Sequence, residues 1–259
     1  MSRDSTGKVL TVAFLLCVVC SVLVSAAAVV LSDRQERNKL EEKRKNILQA
    51  AGIYATGVPV EDQFSSIQTR IVDLQTGEFS RDFDTATFDS RKAARDTETS
   101  YLIPTGLDLA AIKTRSRYMD VYLLLDDGKL QQLILPVHGK GLWSTMYGFV
   151  SLGDDLSTVN GFAFYEHGET PGLGGEIDNP TWKKQWPGKK IYDEEGNTRI
   201  EVLKGTVDKT SADAVYQADG LAGATLTARG VGNLLKYWLG DDGYKPFLAK
   251  LKEEGVKHE

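Results

Sequence analysis

The sequence predicts an α+β fold: a mostly antiparallel sheet with flanking helices, preceded by one N-terminal transmembrane helix. Three observations carry that expectation. Residues 9–32 hold no charged side chain and are rich in Val, Leu and Ala. Four β-like runs joined by short turn-forming connections fill 120–165. Two helical patterns then close the chain, an order of strands followed by helices that suits an α+β domain. At 259 residues there is room for a membrane segment and one domain of ordinary size.

The charge-free run is long enough for one bilayer-crossing helix. Arg3 and Lys8 ahead of it, with Ala26-Ala27-Ala28 near its end, also fit a secretory signal peptide. Its apolar part, however, exceeds the roughly 7–15 residues usual for such a core. A charged helical continuation follows directly and favours a retained anchor. The expected organisation is a short tail over 1–8, a transmembrane helix over 9–32, a helical connector over 33–52 and one extramembrane domain over 53–259. Basic residues flank the span on both sides (Arg3 and Lys8; Arg34, Arg37, Lys39, Lys43, Arg44 and Lys45), so charge leaves its orientation open.

In the connector, Leu40, Ile47, Leu48 and Ala51 are spaced for one apolar face, and Gly52 is the stop. A short helix over 60–67, a strand over 70–74, a turn at Gln75-Thr76-Gly77 and a short helix over 91–96 come next. Strands over 120–125 and 130–136 flank the hairpin connection Asp126-Asp127-Gly128-Lys129. Strands over 145–152 and 158–165 repeat the theme around Gly153-Asp154-Asp155. A further strand over 200–203 precedes helices over 225–239 and 244–252.

Composition narrows the function. A net charge of −5 with no basic stripe argues against nucleic acid as a partner. The two cysteines, Cys17 and Cys20, lie in the apolar segment, without a flanking βαβ pattern or a second pair to complete a metal site. No two histidines are spaced as zinc ligands, and His138 reads as a hydrogen-bonded structural residue. Ser144 and His138 lack a nucleophile elbow and an orienting acid. Glu166, Glu169 and Glu176 read as solvated loop charges rather than catalytic carboxylates. The spacings of the phosphate loop and of the dinucleotide fingerprint are both absent.

Three glycine-punctuated stretches remain. Pro136-Val137-His138-Gly139-Lys140-Gly141-Leu142-Trp143 reads as a loop whose Leu142 and Trp143 either anchor to the core, the better expectation from residue type, or cover a flat ring. Glu166 to Glu176 carries Thr170, Leu173 and Gly174 directly after a strand, where a glycine-rich backbone can approach a ligand closely. Asp219-Gly220-Leu221-Ala222-Gly223-Ala224-Thr225 opens the helix over 225–239. On residue types alone it is an ordinary turn and cap with Thr225 as the capping hydroxyl. The same geometry favours an anion, because backbone N–H groups and the positive dipole end converge there.

Taken together, Glu169-Thr170-Pro171-Gly172-Leu173-Gly174 and Asp219-x-x-Ala222-Gly223-Ala224-Thr225 resemble the paired signatures of covalent FMN-binding domains, the second being similar to the flavinylation motif D-x-x-[ST]-G-A-[ST]. More narrowly, 134–143, 168–190 and Trp238-Leu239-Gly240-Asp241 resemble the C subunit family of the bacterial sodium-translocating NADH:quinone reductase. The resemblance implies an electron-transfer subunit whose covalent FMN relays electrons from NADH toward ubiquinone, with no NADH or quinone site of its own. It implies a phosphoester to Thr225, made by a separate flavin transferase, and other subunits of a membrane redox complex as partners. It also implies a single pass through the inner membrane with the FMN domain on the periplasmic side. The implied cofactor contacts are Gly223, Ala224, Ala222, Asp219, Thr170, Leu173, Gly174, Leu142, Trp143 and Lys204. Asp219 is expected to cap the helix or to bind a metal during flavin transfer. Ala222 departs from the motif, which has Ser or Thr there, and Thr227 is a second candidate acceptor. The flavin subunit of the related ferredoxin:NAD reductase complex shares both signatures, and a non-redox membrane-anchored binding protein is the alternative of another class.

Overall fold

The computed structural model describes residues 6–256, the side chain of Asp33 excepted, so the Arg3 of the basic start lies outside the described residues. Two units divide the chain, 1–43 and 44–259. Helix α1 (Thr6–Ala50) is continuous, and its Thr6–Ser32 portion of 27 residues is long and apolar enough to cross a membrane. At 1.5 Å per residue it spans about 40 Å, more than the ~30 Å of a hydrocarbon core.

Within the second unit, Gly52 ends the helix as expected, at a left-handed φ of +71°, with the Ile53 amide donating back to the Leu48 carbonyl (3.0 Å). Ile47, Leu48 and Ala51 are buried there, whereas Leu40, in the first unit, is exposed and does not join that face. Then follow α2 (Val60–Phe64), β1 (Ile67–Asp73), β2 (Glu78–Ser80) and α3 (Ser90–Ala93), capped by the Asp89 carboxylate on the Arg91 and Lys92 amides. Short strands β3 (Ser100–Leu102) and β4 (Thr114–Ser116) pair with each other. The meander is β5 (Tyr118–Asp126), β6 (Lys129–Lys140), β7 (Thr145–Gly153) and β8 (Val159–Glu166). After a 3-10 turn (Gly174–Asp178) come α4 (Pro180–Lys183) and β9 (Glu201–Val202), which pairs in parallel with β10 (Gln217–Ala218). Helices α5 (Thr225–Trp238) and α6 (Lys245–Glu254) close the fold.

The main sheet runs β2-β1-β5-β6-β7-β8, antiparallel throughout. Its central hairpin follows from sequence chemistry: Asp127 (φ +46°) and Gly128 (φ +75°) supply the two left-handed residues of a type I′ turn. Both faces are covered, which explains the unbroken apolar run in β6. Leu133, Leu135 and Val137 meet α5 and α6 in the larger core, and Ile134 meets Ile47, Leu48, Ala50 and Ala51 from the end of α1.

One expected loop is a strand. Residues 136–140 extend β6, and only Gly141 to Ser144 connect it to β7. Pro136 is tolerated because the paired register with β5 ends at Ile134, so no ladder bond on that side needs its missing N–H. Helix α5 lies against this extension so closely that a Cβ at Gly139 would come 2.6 Å from Leu234 Cβ, and one at Gly230 would collide with the Lys140 carbonyl oxygen. In an open helix Gly→Ala stabilises by about 0.5–1 kcal/mol. Here Gly230→Ala is expected to destabilise instead, by about 1–3 kcal/mol through overpacking; a rise in unfolding temperature would show that the contact has slack.

Candidate functional site

The three glycine-bearing stretches converge on one side chain that the sequence places in solvent. Glu169 is instead only 5% exposed. Its Oε1 accepts from the Trp143 (2.9 Å) and Ser144 (3.3 Å) amides, and its Oε2 accepts from the Leu142 amide (3.2 Å) and the Thr227 hydroxyl (2.5 Å). Burial pushes this carboxyl up, but the Thr227 hydroxyl and the Trp143, Ser144 and Leu142 amides outweigh it and hold the group below its ordinary value. Two glycines make room for it: a Cβ at Gly141 would stand 2.5 Å from Oε1, and one at Gly174 would stand 2.8 Å from Oε2.

Neighbouring bonds hold the loop after β8. The Gly168 amide donates to Ser144 Oγ (2.6 Å). The Glu169 amide donates to His167 Nδ1 (3.2 Å), so His167 carries its proton on Nε2, which faces Asp178 Oδ2 at 2.7 Å. Thr170 is exposed, and its carbonyl accepts from the Leu173 and Gly175 amides. His138 is held by ring stacking on Tyr147 (5.3 Å) and by its carbonyl, which accepts from Trp238 Nε1 (2.6 Å). Burial, then the charge of Arg91, lowers its pKa to about 4, so its ring is neutral at physiological pH.

Asp219 does not cap α5. Its Oδ1 accepts from the Val207 amide (2.7 Å), its carbonyl from Trp182 Nε1 (2.9 Å), and its own amide donates to Gln185 Oε1 (2.5 Å). It ties the motif to the segment after β9 and to the chain around α4. Gly220 presses on the Leu203 and Lys204 backbone, where a Cβ would collide. Gly223 takes a left-handed φ of +72°, and a Cβ there would stand 3.1 Å from Leu173 Cδ2, so the two motif loops touch. Ala222 is exposed, and the turn closes through the Ala224 amide on the Leu221 carbonyl (3.1 Å) without needing a hydroxyl at 222.

Thr225 is the first helical residue rather than the cap, which falls on Ala224 with no side-chain bond. The amides of Gly223, Thr225, Leu226 and Thr227 therefore have no partner among the described residues, while that of Ala224 is taken. The Thr225 side chain, half-buried, borders a depression of about 200 Å³ with Lys204, Arg229, Asn233, Lys236 and Glu201. Lys236 faces Glu201 at 3.7 Å, and neither Lys204 nor Arg229 pairs with a carboxylate among the described residues. Sequence reasoning missed Arg229, although its i+4 spacing from Thr225 placed it on the same helix face. Thr227, the other candidate acceptor, is fully buried and spent on Glu169.

Leu142 (42% exposed), Trp143 (66%), Leu173 (45%) and Leu226 (52%) face outward, so Leu142 and Trp143 do not anchor to the core. Unpaired amides and cations beside one free hydroxyl, with outward apolar side chains on the adjoining loops, fit an anionic group joined to a flat apolar one.

Residues 141–240 match the family of the FMN-binding domain. The chain is 51% identical over 256 residues to the C subunit of the Na(+)-translocating NADH-quinone reductase of Pseudomonas aeruginosa, covering 97% of this chain and 98% of that one. It is 45% identical to the protein of the same name from Vibrio alginolyticus, over 97% of each. Among solved structures, the crystal structure of Shewanella oneidensis NqrC matches with a TM-score of 0.77 and 35% identity, covering 85% of this chain and 100% of that one.

Proposed function

The chain belongs to the family of the Na(+)-translocating NADH-quinone reductase C subunits, and from that premise we propose that Thr225 carries its FMN through a phosphoester made by a separate flavin transferase. The protein is the FMN-bearing electron-transfer subunit of that multisubunit oxidoreductase complex. Relatives bearing the NADH-quinone reductase name over nearly the whole chain decide between the two reductases that share the flavin signatures. Bound FMN supplies the electron-carrying chemistry, taking electrons that originate in NADH oxidation toward ubiquinone while a partner subunit moves sodium.

One observation carries the covalent reading: of the two threonines at the helix start, only Thr225 offers a hydroxyl unbonded among the described residues, beside amides and two cations that are likewise unpaired among them. A phosphodiester keeps one negative charge, which the amides of Gly223, Thr225 and Leu226 and the positive end of α5 stabilise. Lys204 and Arg229 offset the same charge across the depression. Leu142, Trp143, Leu173 and Leu226 border the isoalloxazine and exclude water, while Thr170 and Gly174 shape the loop that presents Leu173. Asp219, Ala222 and Ala224 hold the turn rather than the phosphate. Residues 9–32 anchor the chain in the inner membrane, 33–52 connect, and 53–259 form the FMN domain on the periplasmic side.

Co-expression with a flavin transferase, followed by full denaturation, is expected to leave a yellow-green fluorescent gel band. The peptide containing Thr225 gains the mass of FMN less water. A dark band with an unmodified peptide would sink the covalent assignment.

A further inference from the structure

We propose that Glu169 is a positioning residue for the flavin: its buried carboxylate locks the loop bearing Leu142 and Trp143 to the start of α5, and so sets how closely those side chains cover the FMN carried there. The inference rests on the assignment of FMN to Thr225.

Both oxygens of Glu169 are saturated, each by two donors, and the side chain is 5% exposed. Such a carboxylate has no free lone pair for proton transfer and meets little solvent, so an acid–base role does not fit it. Its partners instead define a clamp. Three are consecutive amides, those of Leu142, Trp143 and Ser144, and the fourth is Thr227, two residues beyond the attachment point. The amides of Leu142 and Trp143 are pulled inward, and their side chains are thereby turned outward, 42% and 66% exposed. From the other end of the same loop, Ser144 Oγ accepts from the Gly168 amide, which doubles the tie.

Only an ionised acceptor suits the position. A glutamine would point an NH2 at donors, losing bonds on one side and setting donor against donor. The glycines at 141 and 174 complete the case, since a Cβ at either place would occupy the space of the carboxylate. The carboxylate thus joins the two elements that carry the proposed site, the loop of Leu142 and Trp143 and the first turn of α5.

The test uses the full chain in detergent, loaded by co-expression with the transferase and compared at equal FMN content. The readouts are flavin emission and its collisional quenching by iodide in the folded protein. Glu169→Gln is expected to raise both severalfold, because Trp143 no longer shields and quenches the ring. Trp143→Ala should do the same, and the double variant should go no further than either single one, the mark of residues acting through one contact. Thr227→Ser, which keeps the donor, should match the parent. Should Glu169→Gln fail to fold or load, Thr227→Val, which removes one donor of four, is expected to move both readouts the same way by less. A loaded Glu169→Gln or Thr227→Val with parental emission and quenching, even at a lowered melting temperature, overturns the proposal and leaves Glu169 a stability residue. Additive effects in the double variant overturn it too. A parent chain without FMN on Thr225 overturns the functional assignment itself, and the denaturing gel detects that separately.

Discussion

Thr225→Val is expected to abolish covalent flavin completely while the domain stays folded. Valine keeps the β-branched shape and removes only the hydroxyl. That hydroxyl makes no hydrogen bond among the described residues, so its loss lies in the range of about ±0.5 kcal/mol typical of surface changes away from special features. Chemically the change is total, because the other candidate acceptor, Thr227, cannot take its place. Thr227 is fully buried and donates to Glu169, so its oxygen is both hidden and engaged. Thr225→Ser, which retains a hydroxyl at the same Cβ, should still be modified. Gel fluorescence after denaturation and intact mass report the outcome, and an unchanged melting curve confirms the fold. A fluorescent Thr225→Val band would move the attachment site elsewhere.

The largest loss of stability is expected from Trp238→Ala, about 3–5 kcal/mol. Trp238 is fully buried between α5 and the end of β6, with its ring 4.9 Å from His138 and 5.4 Å from both Tyr237 and Tyr244. Its indole N–H also satisfies the His138 carbonyl at 2.6 Å. Truncation removes the ring, opens a cavity and strands that carbonyl. Against a total stability of about 5–15 kcal/mol the loss is large. Trp238→Phe separates the contributions: it keeps an aromatic ring and loses the bond, for about 1–3 kcal/mol. Denaturant unfolding of the full chain in detergent, followed by circular dichroism, measures both. Equal midpoints for the alanine variant and the parent would contradict the packing described. Because α5 begins at Thr225, the alanine variant should also load flavin poorly when grown warm.

Much of this architecture is legible from neighbours in the chain. The meander shows itself through short apolar β-like runs and through Asp127-Gly128, whose left-handed angles only a few residue types adopt readily. The strand over 200–203 is also expected and contains β9, whereas β3, β4 and β10 leave no such mark. These three are two or three residues long and exist only through partners supplied from elsewhere. The end of β6 reads as a loop because Pro136, Gly139 and Gly141 are turn formers by local rules. What keeps it extended is β7 along one edge and α5 packed against it.

At the site the same division holds. The anion-friendly start of α5, and the glycines that shape it, follow from local residue types. The choice of Thr225 over Thr227 needs the helix docked, because two residues along a helix turn a side chain from one face toward the opposite one. Trp143 is expected inside because indoles usually bury, yet its amide rather than its ring is drawn inward.

The sequence alone determined the apolar span, the antiparallel meander, the helix start and, through its motifs, the flavin chemistry. Each of these depends on spacing and turn geometry over a few residues. Only the tertiary structure decided that Glu169 is a buried clamp, that Leu142 and Trp143 face outward and that Asp219 braces the turn rather than capping the helix. The physical reason is that a charge is buried only where enough donors converge. The donors to Glu169 come from 25 to 27 residues upstream and 58 downstream, a convergence that no local pattern records.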